Sequence, residues 1–120
     1  MNIEATPYSP QIAYDEEKQV LRICGRTIPD NPVEFYHPIQ QFVESLVERS
    51  DSLVIDVKLD YFNTSSSKQL LDLFGKMEEM AKAGKQVKVV WRYAEDDDDL
   101  KESGEDYMEL VEVPFEMVVE

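Results

Sequence analysis

The 120-residue chain has one cysteine, one histidine and only four glycines. A lone Cys24 cannot close an internal disulfide. With no signal peptide at the N-terminus, the expected setting is a reducing cytoplasm. One thiol and one imidazole also give no zinc-ligand spacing. A Cys–His nucleophilic pair needs hydrogen-bond reach. Cys24 falls mid-strand and His37 falls early in a helix beside Pro38, so structural roles are expected of both. The glycines are scattered, which leaves neither a phosphate-cradling loop nor a dinucleotide fingerprint. No apolar run approaches the roughly 20 residues of a membrane-spanning helix. Basic residues are scarce, 12 against 26 acidic, for a net charge of −14. Nucleic acid and anionic membrane are therefore not expected as partners, because binding them needs Lys and Arg to displace counterions. The charge favours solubility and basic partner surfaces.

What is present patterns well. The length implies a single domain over 1–120, large enough for a hydrophobic core of its own. "MNIEATPYSP" (1–10) reads as an extended N-terminal segment. "QIAYDEEKQVLRICG" reads as a hairpin turning at Asp15–Lys18. Asp30 or Asn31 can cap a first helix with Pro32 at its first position. Phe35, Ile39, Phe42, Val43, Leu46 and Val47 follow at helical spacing, and Pro38 predicts a kinked or separate first turn. In "SLVIDVKLDYF", Leu53, Ile55, Val57, Leu59 and Tyr61 share one face. A second helix runs from about Thr64 to Ala83, with Leu70, Leu71, Phe74, Met77, Met80 and Ala81 on its stripe, and Gly84 ends it. Val87, Val89, Trp91 and Tyr93 alternate in the next strand. A short amphipathic helix with Leu100, Tyr107, Leu110 and Val111 precedes a last strand, "PFEMVV". The order β-β-α-β-α-β-α-β predicts an α/β fold with a largely parallel sheet of about five strands. Because the strands alternate polar with apolar residues, the helices are expected mainly on one face.

Three constellations bear on function. The acidic run Asp96–Asp99, with Glu102, Glu105 and Asp106, could hold Mg²⁺ or Ca²⁺ in a small metal-dependent enzyme. Its spacing matches no calcium loop, and acidic residues suit a helix N-terminus, so a solvated turn is the stronger reading. Trp91 and Tyr93 could line a pocket, but their period-two spacing favours the core. The third is "NTSSS", Asn63 to Ser67, where a strand feeds a helix. Asn, Ser and Thr are the preferred caps, yet one cap needs one residue. The same place suits a phosphate, since backbone N–H groups point outward and the helix dipole favours an anion. On the residues alone, capping and regulated phosphorylation both stand.

"DYFNTSSSKQLLDLFGKMEEMAKAGKQVKVVWRY" resembles the core of the SiaC family of bacterial regulatory phosphoproteins. The Asn-Thr-Ser-Ser junction and the Val-x-Val-x-Trp strand are the most specific parts. The resemblance extends to "PDNPVEFYHPIQQFVESLV" and to the closing acidic segment and Pro-Phe strand. It implies a fold similar to the STAS domains of anti-sigma factor antagonists, and a non-enzymatic, partner-switching protein without a cofactor. In the family a serine/threonine kinase phosphorylates the motif threonine and a PP2C-type phosphatase reverses this. The unphosphorylated form binds and activates a diguanylate cyclase, raising cyclic di-GMP and promoting biofilm formation. Carried over by motif, the modified residue is Thr64, and Asp60, Tyr61, Phe62, Asn63, Ser65 and Ser66 form the partner-binding corner. Ser67 is a further serine beyond the family motif. An antagonist that sequesters an anti-sigma kinase is the alternative of the same type.

Overall fold

The computed structural model describes residues 1–120. In chain order the elements are β1 (Asn2–Ile3), β2 (Gln11–Asp15), β3 (Val20–Thr27), α1 (Pro32–Arg49), β4 (Ser52–Phe62), α2 (Thr64–Lys82), β5 (Gln86–Tyr93), α3 (Asp98–Leu110) and β6 (Phe115–Val119). All six strands form one sheet in sequential order. β1, β2 and β3 pair antiparallel, and β3 to β6 pair parallel. The mixed α/β class is as the pattern predicts. The strand number is six instead of about five, because Asn2 and Ile3 in the opening segment pair with Ala13 and Ile12.

Each crossover from β3 onward advances one strand in the same direction. Right-handed crossovers of that kind place α1, α2 and α3 on one face. The burial agrees. On β4, Leu53, Ile55, Val57 and Leu59 are buried, whereas Lys58 and Asp60 are exposed. The core includes Ile12, Leu21 and Ile23 from the sheet, Tyr36, Ile39, Val43 and Leu46 from α1, and Leu70, Leu73, Phe74, Met77 and Met80 from α2. Each such side chain contributes about 1.5–3 kcal/mol by leaving water. No helix is long and apolar enough to cross a membrane.

Four local expectations change. Pro38 lies within one continuous helix. It sits in the second turn, so the carbonyl that loses its partner belongs to exposed Glu34. Tyr36, absent from the expected stripe, is fully buried, because its hydroxyl has a buried partner. Leu110 is exposed, since α3 ends there and Val111 turns inward in its place. Tyr61 is not on the buried face, and the cause lies in the candidate site.

Candidate functional site

The corner where β4 becomes α2 is shaped by a bulge. Gly25 pairs with Leu59 and Arg26 with Tyr61, so Asp60 is the extra residue in β4. The extra residue inverts the alternation beyond it. Tyr61 emerges on the open side, 53% exposed, with the Arg26 guanidinium 5.8 Å from its ring centroid. Phe62 turns inward and meets Trp91 edge-on, with centroids 6.3 Å apart.

The run that follows divides its labour. Asn63 is the cap: its backbone is extended and its side-chain oxygen accepts from the Ser66 N–H at 2.9 Å. The Ser67 N–H closes the first helical bond to the Asn63 carbonyl. Ser66 is fully buried and accepts from the Thr27 hydroxyl at 3.1 Å. Thr27 in turn shares a 2.7 Å hydrogen bond with the Tyr36 hydroxyl. This buried chain ties α2 to β3 and α1. Burial pushes the Tyr36 hydroxyl up to about 12, although the bond with Thr27 opposes the rise. Ser67 is half-buried, and its hydroxyl lies 2.7 Å from the Tyr107 hydroxyl, which also donates to the Ser67 carbonyl at 3.0 Å. Burial likewise pushes Tyr107 up to about 12. Thr64 and Ser65 are the two exposed hydroxyl residues of the run.

Thr64 borders a cleft of about 410 Å³ between the first turns of α2 and α3. Asp60, Tyr61, Phe62, Asn63, Thr64 and Ser67 form one wall, and Asp97, Asp99, Leu100 and Ser103 form the other. Asp97 caps α3, accepting from the Leu100 N–H at 3.0 Å, and Asp98 and Asp99 lie in its first turn. No group of three His, Cys, Asp or Glu side chains converges in a way that could hold a metal ion. Trp91 is a core residue whose indole N–H donates to the Leu100 carbonyl at 2.8 Å. Gly104 lets α3 approach the indole, since a Cβ there would stand 2.6 Å from Trp91 Cδ1.

Of the residues expected at a partner surface, Asp60, Tyr61, Phe62 and Asn63 line the cleft with Thr64. Ser65 is exposed, and Ser66 is sealed in the interior. Cys24 and His37 lie apart, on β3 and α1. The α3 wall was not anticipated, yet the topology holds its signal. α2 and α3 each leave the carboxyl end of one of two neighbouring parallel strands, so their N-termini meet at one end of the sheet.

A family model described as SiaC family regulatory phosphoprotein matches residues 3–120. An uncharacterised protein of Pseudomonas aeruginosa strain UCBPP-PA14 is 29% identical over 116 residues, 96% of this chain and 92% of its own. The chain is also similar to one in the crystal structure of the Pseudomonas aeruginosa diguanylate cyclase SiaD in complex with its activator SiaC. That match has a TM-score of 0.94 and 27% identity, and covers 100% of this chain and 99% of the other. SiaC of Pseudomonas aeruginosa matches with a TM-score of 0.91 at 27% identity, covering 100% and 98%. Apo-SiaC matches with a TM-score of 0.90 at 28% identity, covering 98% and 97%.

Proposed function

The chain belongs to the SiaC family of regulatory phosphoproteins, and from that premise we propose a non-enzymatic switch controlled at Thr64. Its unphosphorylated form binds and activates a diguanylate cyclase, which raises cyclic di-GMP. A serine/threonine kinase transfers the γ-phosphoryl group of a nucleoside triphosphate to Thr64 Oγ1, releasing the hydroxyl proton and a nucleoside diphosphate. A PP2C-type phosphatase hydrolyses the ester. The setting is the cytoplasm, where the kinase finds its nucleotide.

The observation that carries this reading is the division of the hydroxyl run. Asn63 already caps α2, Ser66 is buried, Ser67 is hydrogen-bonded to Tyr107, and of the two exposed hydroxyls, Thr64 and Ser65, neither needed for the cap, only Thr64 lines the cleft. The similarity to an activator of a diguanylate cyclase supports the partner class.

The switch follows from charge. A phosphate adds about 1.5–2 negative charges and three acceptor oxygens. A partner packed over Tyr61 and Thr64 would have to strip water from that group beside Asp60. Without a cation to meet it, the cost is several kcal/mol. Each 1.4 kcal/mol is tenfold in affinity, so the complex dissociates.

The test is affinity purification of wild-type and Thr64→Ala protein from the native host, with peptide mass spectrometry of residues 60–76. The reading expects phosphate on Thr64 of the wild type and a diguanylate cyclase enriched on Thr64→Ala. Phosphate confined to another residue, or an anti-sigma kinase as the captured partner, would replace it.

A further inference from the structure

We propose that phosphorylation of Thr64 releases α3 from the sheet, so that the modification is read as a local opening and not as surface charge alone. This rests on the phosphorylation reading above and adds a moving part to it.

The cleft beside Thr64 contains the carboxylates Asp60, Asp97 and Asp99 and no Lys or Arg. Two helix N-termini face it, each equivalent to roughly half a positive charge. The carboxylates outweigh them, and Asp97 already takes one of the α3 amides as its cap. A dianion at Thr64 therefore enters a space whose fixed charge is negative. The sequence alone suggests a phosphate held quietly by the α2 amides. The acidic wall supplied by α3 changes that expectation.

α3 is the element positioned to yield. Its hydrogen bonds to the rest of the fold are few: the Trp91 indole N–H to the Leu100 carbonyl and the paired bonds of Tyr107 with Ser67, beside the packing of Leu100, of Gly104 on the indole and of Tyr107 edge-on to Phe74 and Trp91. The Tyr107 bonds are anchored one turn from Thr64, on the helix turn that would carry the phosphate. Asp60 sits at the β4 bulge between Leu59 and Tyr61, which pair with β3, and α2 is held through Ser66, Thr27 and Tyr36. Repulsion across the cleft thus acts between one rigid wall and one lightly held wall. Outward movement of α3 uncovers the Trp91 indole and the Tyr107 ring, both now buried. Lys68 lines the neighbouring groove with Thr64 and Asp106. It is a cation outside the cleft, so it leaves the charge facing α3 unneutralised.

Trp91 is the sole tryptophan, so its emission reports α3 directly. The experiment uses full-length protein with phosphothreonine installed at position 64 during translation, compared with the unmodified chain. Backbone amide exchange and acrylamide quenching of Trp91 are measured on both. The proposal expects exchange at residues 100–107 to rise at least tenfold on phosphorylation, with β4 and α1 unchanged. Trp91 emission should shift to longer wavelength and quench more readily. Asp60→Asn combined with Asp99→Asn should restore slow exchange in the phosphoprotein, and added salt should do so in part. Unchanged exchange over α3, or a rise spread across the whole chain, would overturn the proposal. A kinase and a partner are not needed for this readout, so it separates from the switch itself. Loosened α3 with unaltered cyclase binding removes the switch and keeps this inference. Fixed α3 with lost binding does the reverse.

Discussion

Replacing Ser66 by alanine should cost far more than replacing Thr64, although the two lie two residues apart in the same run. The Ser66 hydroxyl is fully buried and terminates a chain in which Tyr36, Thr27 and Ser66 are linked by bonds of 2.7 and 3.1 Å. Deleting it leaves Thr27 and Tyr36 with one bond between them and one buried O–H without an acceptor. An unsatisfied buried donor costs about 1–3 kcal/mol, and the better helix propensity of alanine returns up to about 0.5 kcal/mol. The expected net loss is about 1–2 kcal/mol. With a urea slope of about 2 kcal/mol/M, the midpoint should fall by roughly 0.5–1 M. Thr64→Ala removes an exposed hydroxyl from a helix whose cap is Asn63, so its stability should stay within about 0.5 kcal/mol of wild type. Equilibrium urea unfolding followed by far-UV circular dichroism decides it. If Thr64→Ala falls as far as Ser66→Ala, the threonine is structural and the division of roles is wrong. If both are neutral, the buried hydroxyl chain does not hold the corner.

Gly104→Ala forces a Cβ to within 2.6 Å of Trp91 Cδ1 and 2.8 Å of Met117 Cε, and should destabilise by about 1–3 kcal/mol with altered Trp91 emission. Tyr36 and Tyr107 are both pushed up to about 12 from an ordinary 10.0, so the folded state keeps protons that the unfolded state loses. Stability is therefore fully present below about pH 10 and declines from there towards pH 12, on the order of 2 kcal/mol for each tyrosine. Urea unfolding across that window should flatten when both are changed to phenylalanine. On the open sheet face, Lys58 meets Glu120 and Lys88 meets Glu116, and Lys58 holds the Glu120 carboxylate below its usual range. Charge reversal at Lys58 and Lys88 should leave partner affinity within about threefold in a titration, as exposed pairs do; a tenfold loss would move the interface to the sheet. Thr64→Glu brings one charge where phosphate brings nearly two, so its partner affinity should fall between those of Thr64→Ala and the phosphoprotein.

Alternation and helical spacing carried most of the architecture. The buried face of β4 through Leu59, the α2 stripe and its stop at Gly84 all follow from periods of 2 and 3.6 residues. Failures occurred where a single residue breaks the period. The bulge at Asp60 exchanges the faces of Tyr61 and Phe62, and nothing in the alternation marks it. Tyr36 looks like a helix-surface residue until Thr27, distant in space by pattern alone, supplies a partner for its hydroxyl. At the candidate site the importance of "NTSSS" was legible, but which residue caps was not, because Asn63 and Thr64 are both competent caps. Only backbone geometry separates them. The acidic run Asp96–Asp99 reads as a solvated helix start, and Asp97 is one. Its second property, facing Thr64, belongs to the parallel pairing of β4 with β5 and so to the fold.

The central claim is that phosphate on Thr64 controls binding to a diguanylate cyclase. The most direct measurement is a titration of cyclase activity, at one salt concentration, with unmodified protein and with protein carrying phosphothreonine only at position 64. The cyclase is the one captured with Thr64→Ala from the native host. The account predicts saturable activation by the unmodified protein, with the phosphoprotein needing at least a hundredfold higher concentration. Equal activation by both forms would contradict it.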